Sequence, residues 1–210
     1  SGLLTPRVYN AAMFLNGNYW GVFYYIDQPD EVFLRMKDKL PGDIYNGDYF
    51  IFANESQIFN GKTIHGRNLF DNKDVWTIMA TFDNNETRAR LFLDYLIDGI
   101  NDENMSSFYE FYTNHLGPDY LRFMALKSLI NDQHTDDFHN NKIYFDPSSG
   151  HFVFFPWDQL VESVHEVEEN KADLVLTRLD KKIVRFPEVV DDKNRFLYSL
   201  ISSYDKERAD

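Results

Sequence analysis

Apolar positions alternate near the start of this 210-residue chain, recur at helical spacing through its middle, and alternate again in one strand pair before the last helices. Val8 to Leu15 and Trp20 to Ile26 predict two strands, joined by Asn16-Gly17, the dipeptide that favours a type I′ turn. Pro29 stops the second strand, and Asp30 is placed to cap a helix running through Phe33, Leu34 and Lys37 to Pro41-Gly42. Short aromatic runs such as Tyr49-Phe50-Ile51-Phe52 come next, with turns expected at Asn46-Gly47 and Asn60-Gly61.

Phe92, Leu93, Leu96, Ile97 and Ile100 form the stripe of a helix between Asn84 and Ile100. A shorter helix is expected over Met105 to His115. A third follows Gly117-Pro118, with Asp119 as its cap and Leu121, Met124, Ala125 and Leu129 as its apolar face. It should break near Asn131-Asp132. Lys142 to Asp146 and Phe152 to Phe155 then predict a second hairpin, turning over Pro147-Ser148-Ser149-Gly150. Glu162 to Asp173 reads as an acidic solvated stretch. Helical spacing returns with Leu174, Leu176, Leu179 and Ile183, and again with Phe196, Leu197, Leu200 and Ile201. The fold class is α+β.

Composition narrows the function classes. Lys and Arg number 21 against 34 Asp and Glu, a net charge of −13, which argues against nucleic acid and anionic membrane surfaces as partners. An aromatic content of 17% places the chain among folded proteins despite that charge. Absence of cysteine excludes disulfides, thiolate metal sites and a cysteine nucleophile, and leaves the compartment open. No apolar run reaches the ~18–20 residues of a membrane span. No serine lies in a G-x-S-x-G setting, which speaks against a serine hydrolase.

The densest chemistry is His134-Thr135-Asp136-Asp137-Phe138-His139-Asn140-Asn141, delivered by a helix end and followed by a hairpin that leads to Phe155-Pro156-Trp157-Asp158. His134, Asp136 and Asn141 fall in the H-x-D-x-x-x-x-N register of protein-kinase catalytic loops, with Asp158 after two strands where a metal aspartate is expected. In that layout Asp136 accepts the proton of an attacking hydroxyl, while Asn141 and Asp158 supply the oxygen ligands that a hard cation prefers. Two other readings stand beside it: a polar turn with a hairpin-end carboxylate, and a transition-metal site built from His134, His139, Asp136 and Asp137. His134 also reads as a structural histidine orienting the loop, and Trp157 as a core residue sealing the metal loop against the hairpin.

The segment Leu15-Asn16-Gly17-Asn18-Tyr19-Trp20-Gly21-Val22-Phe23 resembles the first hairpin of spore-coat-H-type (CotH) kinases. The His134 to Asn141 loop and Pro156-Trp157-Asp158 are similar to that family's catalytic loop and Pro-Trp-Asp metal motif, in matching order over roughly residues 5 to 200. The resemblance implies an atypical protein-kinase-like fold, mostly hinge and C-lobe with late N-lobe strands. It implies a single domain over residues 1–210, in which 1–28 form the late N-lobe hairpin and hinge and 29–210 the helical lobe. Phosphate-gripping N-terminal strands, with a lysine and a glycine-containing loop, are expected before residue 5, so the domain reads as incomplete. It further implies ATP and Mg²⁺ or Mn²⁺ as cofactors, a protein hydroxyl as acceptor, and a cell-surface or extracellular location. Asp136 and His134 would be catalytic, Asp27, Gln28 and Trp157 would lie at the nucleotide, and Asn141 and Asp158 would hold the metal. Two positions depart from the family pattern: Asp27-Gln28 stands where a glutamate is usual, and Leu160 ends what is usually Pro-Trp-Asp-x-Asp. These departures favour a rival class, a surface binding or adhesion module that keeps the kinase fold without catalysis. A His/Asp metal-dependent hydrolase is a third.

Overall fold

The computed structural model describes residues 3–48, 56–59, 62–65, 68–159 and 175–207. β1 (Val8–Leu15) and β2 (Asn18–Ile26) pair antiparallel across Asn16-Gly17, whose φ values of 51° and 78° are those of a type I′ turn. The register slips between Met13 and Phe14, and Gly21 on the facing strand takes φ 123°, open to glycine at no steric cost. Among the described residues this ribbon is a separate two-stranded sheet, and it exposes large apolar side chains, Phe14, Trp20, Val22 and Tyr24 among them. Its base is tied down by Asp27, whose N–H donates to the Arg7 carbonyl at 3.0 Å.

Asp30 caps α1 (Glu31–Met36), accepting from the Phe33 N–H at 2.9 Å. The helix ends at Met36, short of the Pro41 expected from sequence, because Asp38 turns the chain with φ 54°. β3 (Asp43–Gly47) then runs straight through Asn46-Gly47, correcting the turn expected there. Tertiary contacts override the local preference. Gly47 lies under the Trp76 ring, where an added Cβ would sit 2.6 Å from the nearest ring carbon. The Asn46 amide donates to Thr77 Oγ1 at 3.0 Å and its oxygen accepts from Lys142 Nζ.

β4 (Ser56–Phe59) and β5 (Lys62–His65) form a separate antiparallel pair. The expected aromatic run 49–52, the Asn60-Gly61 turn, Leu160, the acidic stretch 162–173 and Leu174 lie outside the described residues. After two 3-10 turns over 69–75, β6 (Thr77–Ala80) pairs with β3, a strand that its sequence does not announce.

α2 (Glu86–Asn101) and α3 (Met105–His115) agree with the helical stripes and are capped by Asn85 and Asn104. α4 (Gly117–Ile130) begins two residues ahead of its expected cap: Asp119 lies inside the first turn and pairs with Arg122 at 3.2 Å. Asn131 in the left-handed conformation ends this helix where the polar run begins. β7 (Asn141–Asp146) and β8 (His151–Phe155) form the second hairpin, followed by α5 (Arg178–Ile183) and α6 (Pro187–Glu207).

The second hairpin is not an isolated insertion, since the order β6-β3-β7-β8 makes one antiparallel sheet of four strands. Its two faces explain why β7 is buried along its whole length. Tyr45, Ile143, Phe145, Phe152 and Phe154 pack on α2 to α5, while Ile44, Tyr144, Val153 and Phe155 pack on Phe33, Leu34 and Leu4. Asp43, fully buried, holds β3 to α2 through a bidentate pair with Arg88 at 2.6 and 2.8 Å.

Candidate functional site

The polar loop leaves α4 at Asn131 and enters β7 at Asn141, so both of its ends are anchored to regular structure. Asp136 folds back on it: Oδ1 accepts from the Phe138 N–H at 2.7 Å, the His139 N–H at 2.8 Å and His139 Nδ1 at 3.0 Å. Asn141, 1% exposed, donates its amide to the carbonyls of Asp136 at 2.6 Å and His139 at 2.9 Å. With the nitrogen committed in this way, the amide oxygen is the atom left for a cation or donor.

His134 bridges to the second hairpin. Its Nδ1–H donates to the Asp158 carbonyl at 2.9 Å and lies 3.7 Å from the Asp158 carboxylate. A carbonyl only accepts, so this bond sets the tautomer. Asp158 itself is at φ 45° with its carboxylate 70% exposed, an uncommon backbone conformation that turns an acid outward at the hairpin's exit. Asn140 closes the arrangement by donating to the His134 carbonyl at 3.2 Å.

The loop is also held from below. The Asp137 carbonyl accepts from the Leu69 N–H at 2.8 Å, and its carboxylate accepts from the Arg178 N–H at the start of α5, also at 2.8 Å. Burial pushes the Asp137 carboxyl above its ordinary range, against the pull of the Arg178 N–H and of Lys181. Sequence reasoning had no signal for this anchor, because α5 lies more than forty positions away along the chain.

A cavity of about 490 Å³ adjoins Asp158, lined by Thr5, Pro6, Val8 and Ile26 from the ribbon's base and by Pro156, Trp157, Asp158 and Gln159. Trp157 is therefore a cavity wall. Lys142, almost fully buried, places Nζ 5.1 Å from the centroid of its ring. Burial lowers the Lys142 pKa, while Asp48 and Asp158 oppose that shift. Lys142 was not singled out from sequence, where it reads only as the start of a strand.

Asp27 and Gln28 are not part of that lining. Asp27, 6% exposed, accepts from Arg7 N at 3.2 Å and Arg7 Nε at 2.8 Å, and the guanidinium holds its carboxyl below the usual range against the cost of burial. Gln28 is exposed. The structure thus ties Asn141 to the Asp136 carbonyl and His134 to the Asp158 carbonyl, with Asn140 on the His134 carbonyl between the two pairs; Trp157 precedes Asp158, and Asp27 and Gln28 stay at the hairpin's base. A cleft of similar size, about 510 Å³, lies between α2 and α3 and shares no residue with this group.

The amide oxygen of Asn141 and the exposed carboxylate of Asp158 are oxygen donors of the kind a hard divalent cation takes. One amide oxygen and one exposed carboxylate are the few protein ligands that Mg²⁺ takes when substrate oxygens and water complete its shell. Among the described residues no group of three or more His, Asp or Glu is arranged to hold a metal alone, so the transition-metal cluster of His134, His139, Asp136 and Asp137 is not formed. No helix of the described residues is long and apolar enough to cross a membrane.

Comparison with known proteins agrees with the motif order. No curated protein matches the chain. The family model described as CotH kinase protein matches residues 1–172, from the ribbon through the catalytic-type loop and past Asp158. The chain belongs to the CotH kinase family of kinase-like proteins.

Proposed function

We propose that the protein transfers the γ-phosphoryl group of ATP to a protein hydroxyl in a reaction that depends on Mg²⁺ or Mn²⁺. The observation that carries this reading is the hydrogen-bonded run from Asp136 through Asn141 and from His134 to Asp158, next to a cavity large enough for a nucleotide base. Asp136, steadied through Oδ1 by its own loop, accepts the acceptor's proton at Oδ2. Asn141 and Asp158 would hold the cation, whose chemistry when bound is to offset negative charge on phosphate oxygens. His134 ties the Asp158 backbone to the loop and leaves its carboxylate facing out, and Trp157 with Ile26 forms the apolar wall against which the base packs. Asp27 and Gln28 act at the edge of that site, Asp27 by fixing the hairpin to the residue 5–7 segment.

In this reading residues 1–28 are the late N-lobe hairpin and hinge of the kinase-like domain and 29–210 its helical lobe. A two-stranded ribbon is marginal alone, and the bare apolar faces of β1 and β2 are suited to a larger sheet. The spore-coat association of the family supports a cell-surface or extracellular site of action. The net charge of −13 supports a protein partner over nucleic acid.

Transfer of label from γ-labelled ATP to added protein acceptors tests the proposal. It should require divalent metal and fall to background in Asp136→Ala. A second reading, a kinase-fold binding module without catalysis, is favoured by the threefold engagement of Asp136 Oδ1 within its own loop. Metal-dependent nucleotide binding without transfer to any acceptor would select it.

A further inference from the structure

One fully buried carboxylate lies between the two halves of the proposed site, and the scheme above gives it no task. Asp132, 0% exposed, follows the residue that ends α4. Its Oδ1 accepts from the His134 N–H at 3.0 Å, and its Oδ2 accepts from Thr135 Oγ1 at 2.7 Å and from Gln159 Nε2 at 3.1 Å. These three partners are neutral donors. A turn of its own loop accounts for the bonds to residues 134 and 135, but not for Gln159, which is 27 positions away, lines the cavity and adjoins Asp158. Because a carboxylate only accepts, Gln159 must present its amide nitrogen, and the pair has a fixed polarity.

We propose that Asp132 and Gln159 form a latch of positioning residues that holds the Asp158 segment against the loop bearing Asp136 and Asn141. The proposal rests on the nucleotide-binding reading above and adds two residues to it. Asp158 is held on both sides: His134 grips its carbonyl, and the latch grips the next residue, so the outward-turned φ of 45° persists. Partners of this kind, one shell beyond the ligands, commonly change metal affinity by about 10–100-fold when removed.

The fixed polarity supplies the test. Gln159→Glu opposes a second carboxylate to Asp132. Adding Asp132→Asn restores a donor facing an acceptor, with the Thr135 hydroxyl free to rotate to suit. Calorimetry of Mg²⁺ with ATP on the full-length protein should show Gln159→Glu weakened about tenfold or more, and the double variant within about threefold of the parent. Equal affinity in Gln159→Glu, or a double variant no better than the single one while both melt like the parent, overturns the latch. Should Gln159→Glu fail to fold, Gln159→Ala takes its place, with the same loss expected. Hydrogen exchange of Trp157 to Gln159 reads the latch without nucleotide: faster in Gln159→Glu and restored in the double variant if it exists, unchanged if it does not. A parent that binds no metal–nucleotide but shows this exchange pattern would refute the functional reading and keep the latch.

Discussion

Replacing Asp180 by alanine should be among the most damaging single changes to the fold, and its size follows from what the carboxylate holds. Asp180 is 0% exposed and accepts from Lys127 Nζ at 2.9 Å, Tyr120 Oη at 2.8 Å and the Thr177 N–H at 3.0 Å, the last completing a capping box on α5. Lys127 is equally buried, so Asp180→Ala strands an ammonium group with no counter-charge, a loss of about 3–5 kcal/mol. Ordinary domains have only ~5–15 kcal/mol in total. At ~2–4 °C per kcal/mol for a chain of this size, a loss of about 4 kcal/mol lowers Tm by roughly 8–16 °C. Lys127→Met with Asp180→Leu removes both charges and should recover at least half of that, leaving about 1 kcal/mol for the lost cap and a further share for the Tyr120 hydroxyl. Burial works to raise the Asp180 carboxyl, yet the charge and hydrogen bond of Lys127, with the Thr177 N–H and Tyr120, bring it below the usual value. The pair therefore stabilises fully above the unfolded pKa of about 3.9, and that contribution fades as pH falls through the depressed folded value. Thermal melts followed by circular dichroism at pH 7 and in acid read all of this. A Tm loss under about 3 °C for Asp180→Ala, or a double variant as unstable as the single one, would show that Lys127 is not stranded by the change.

Gly47→Ala should cost about 1–3 kcal/mol in urea melts, because the new Cβ drives into the Trp76 ring and disturbs the strand that pairs with Asn141. Asp137→Asn keeps an acceptor for the Arg178 N–H, so it should stabilise the protein at pH 7. Its folded pKa is raised, so ionisation is costlier in the folded state; the gain should be absent below about pH 3.9 and grow as pH rises to the folded value. Equal melting of the two proteins at pH 7 would count against a strained Asp137. Asn141→Ala leaves the Asp136 and His139 carbonyls unpaired in a closed site; it should lower stability by about 1–3 kcal/mol and abolish metal-dependent ATP binding, measured together by melting and calorimetry.

What the sequence made legible is what depends on neighbours along the chain. Asn16-Gly17 announced its hairpin because two consecutive residues must take positive φ, and the stripe from Phe92 to Ile100 announced α2 because one helix face is buried. The start of the polar loop and the turn of the second hairpin were legible for the same reason: Asn131 and Pro147–Gly150 are local signals. Asn46-Gly47 misled, because the contacts that keep it extended come from Trp76, Thr77 and Lys142, invisible to any window around it. β6 has four residues and earns its place only by pairing with β3. At the site, the register of His134, Asp136, Asn141 and Asp158 could be read from spacing. Asp132, Asp137 and Lys142 could not, since each is defined by a partner distant in sequence: Gln159, Arg178 and Trp157. Asp27 shows the converse, a residue placed by resemblance near the nucleotide whose carboxylate is engaged by Arg7.

In the proposed reaction Asp158 and Asn141 would hold a cation shared with a nucleotide beside Trp157. Calorimetric titration of ATP into the full-length protein, with and without Mg²⁺, against its Asp158→Ala variant tests it most directly, since an exposed carboxylate can be removed without unfolding the chain. Metal-dependent binding is expected in the parent and its loss in Asp158→Ala, which should still fold but melt slightly lower because alanine tolerates the φ of 45° less well than aspartate. Binding that is absent in the parent, or equal in the two proteins, would contradict it.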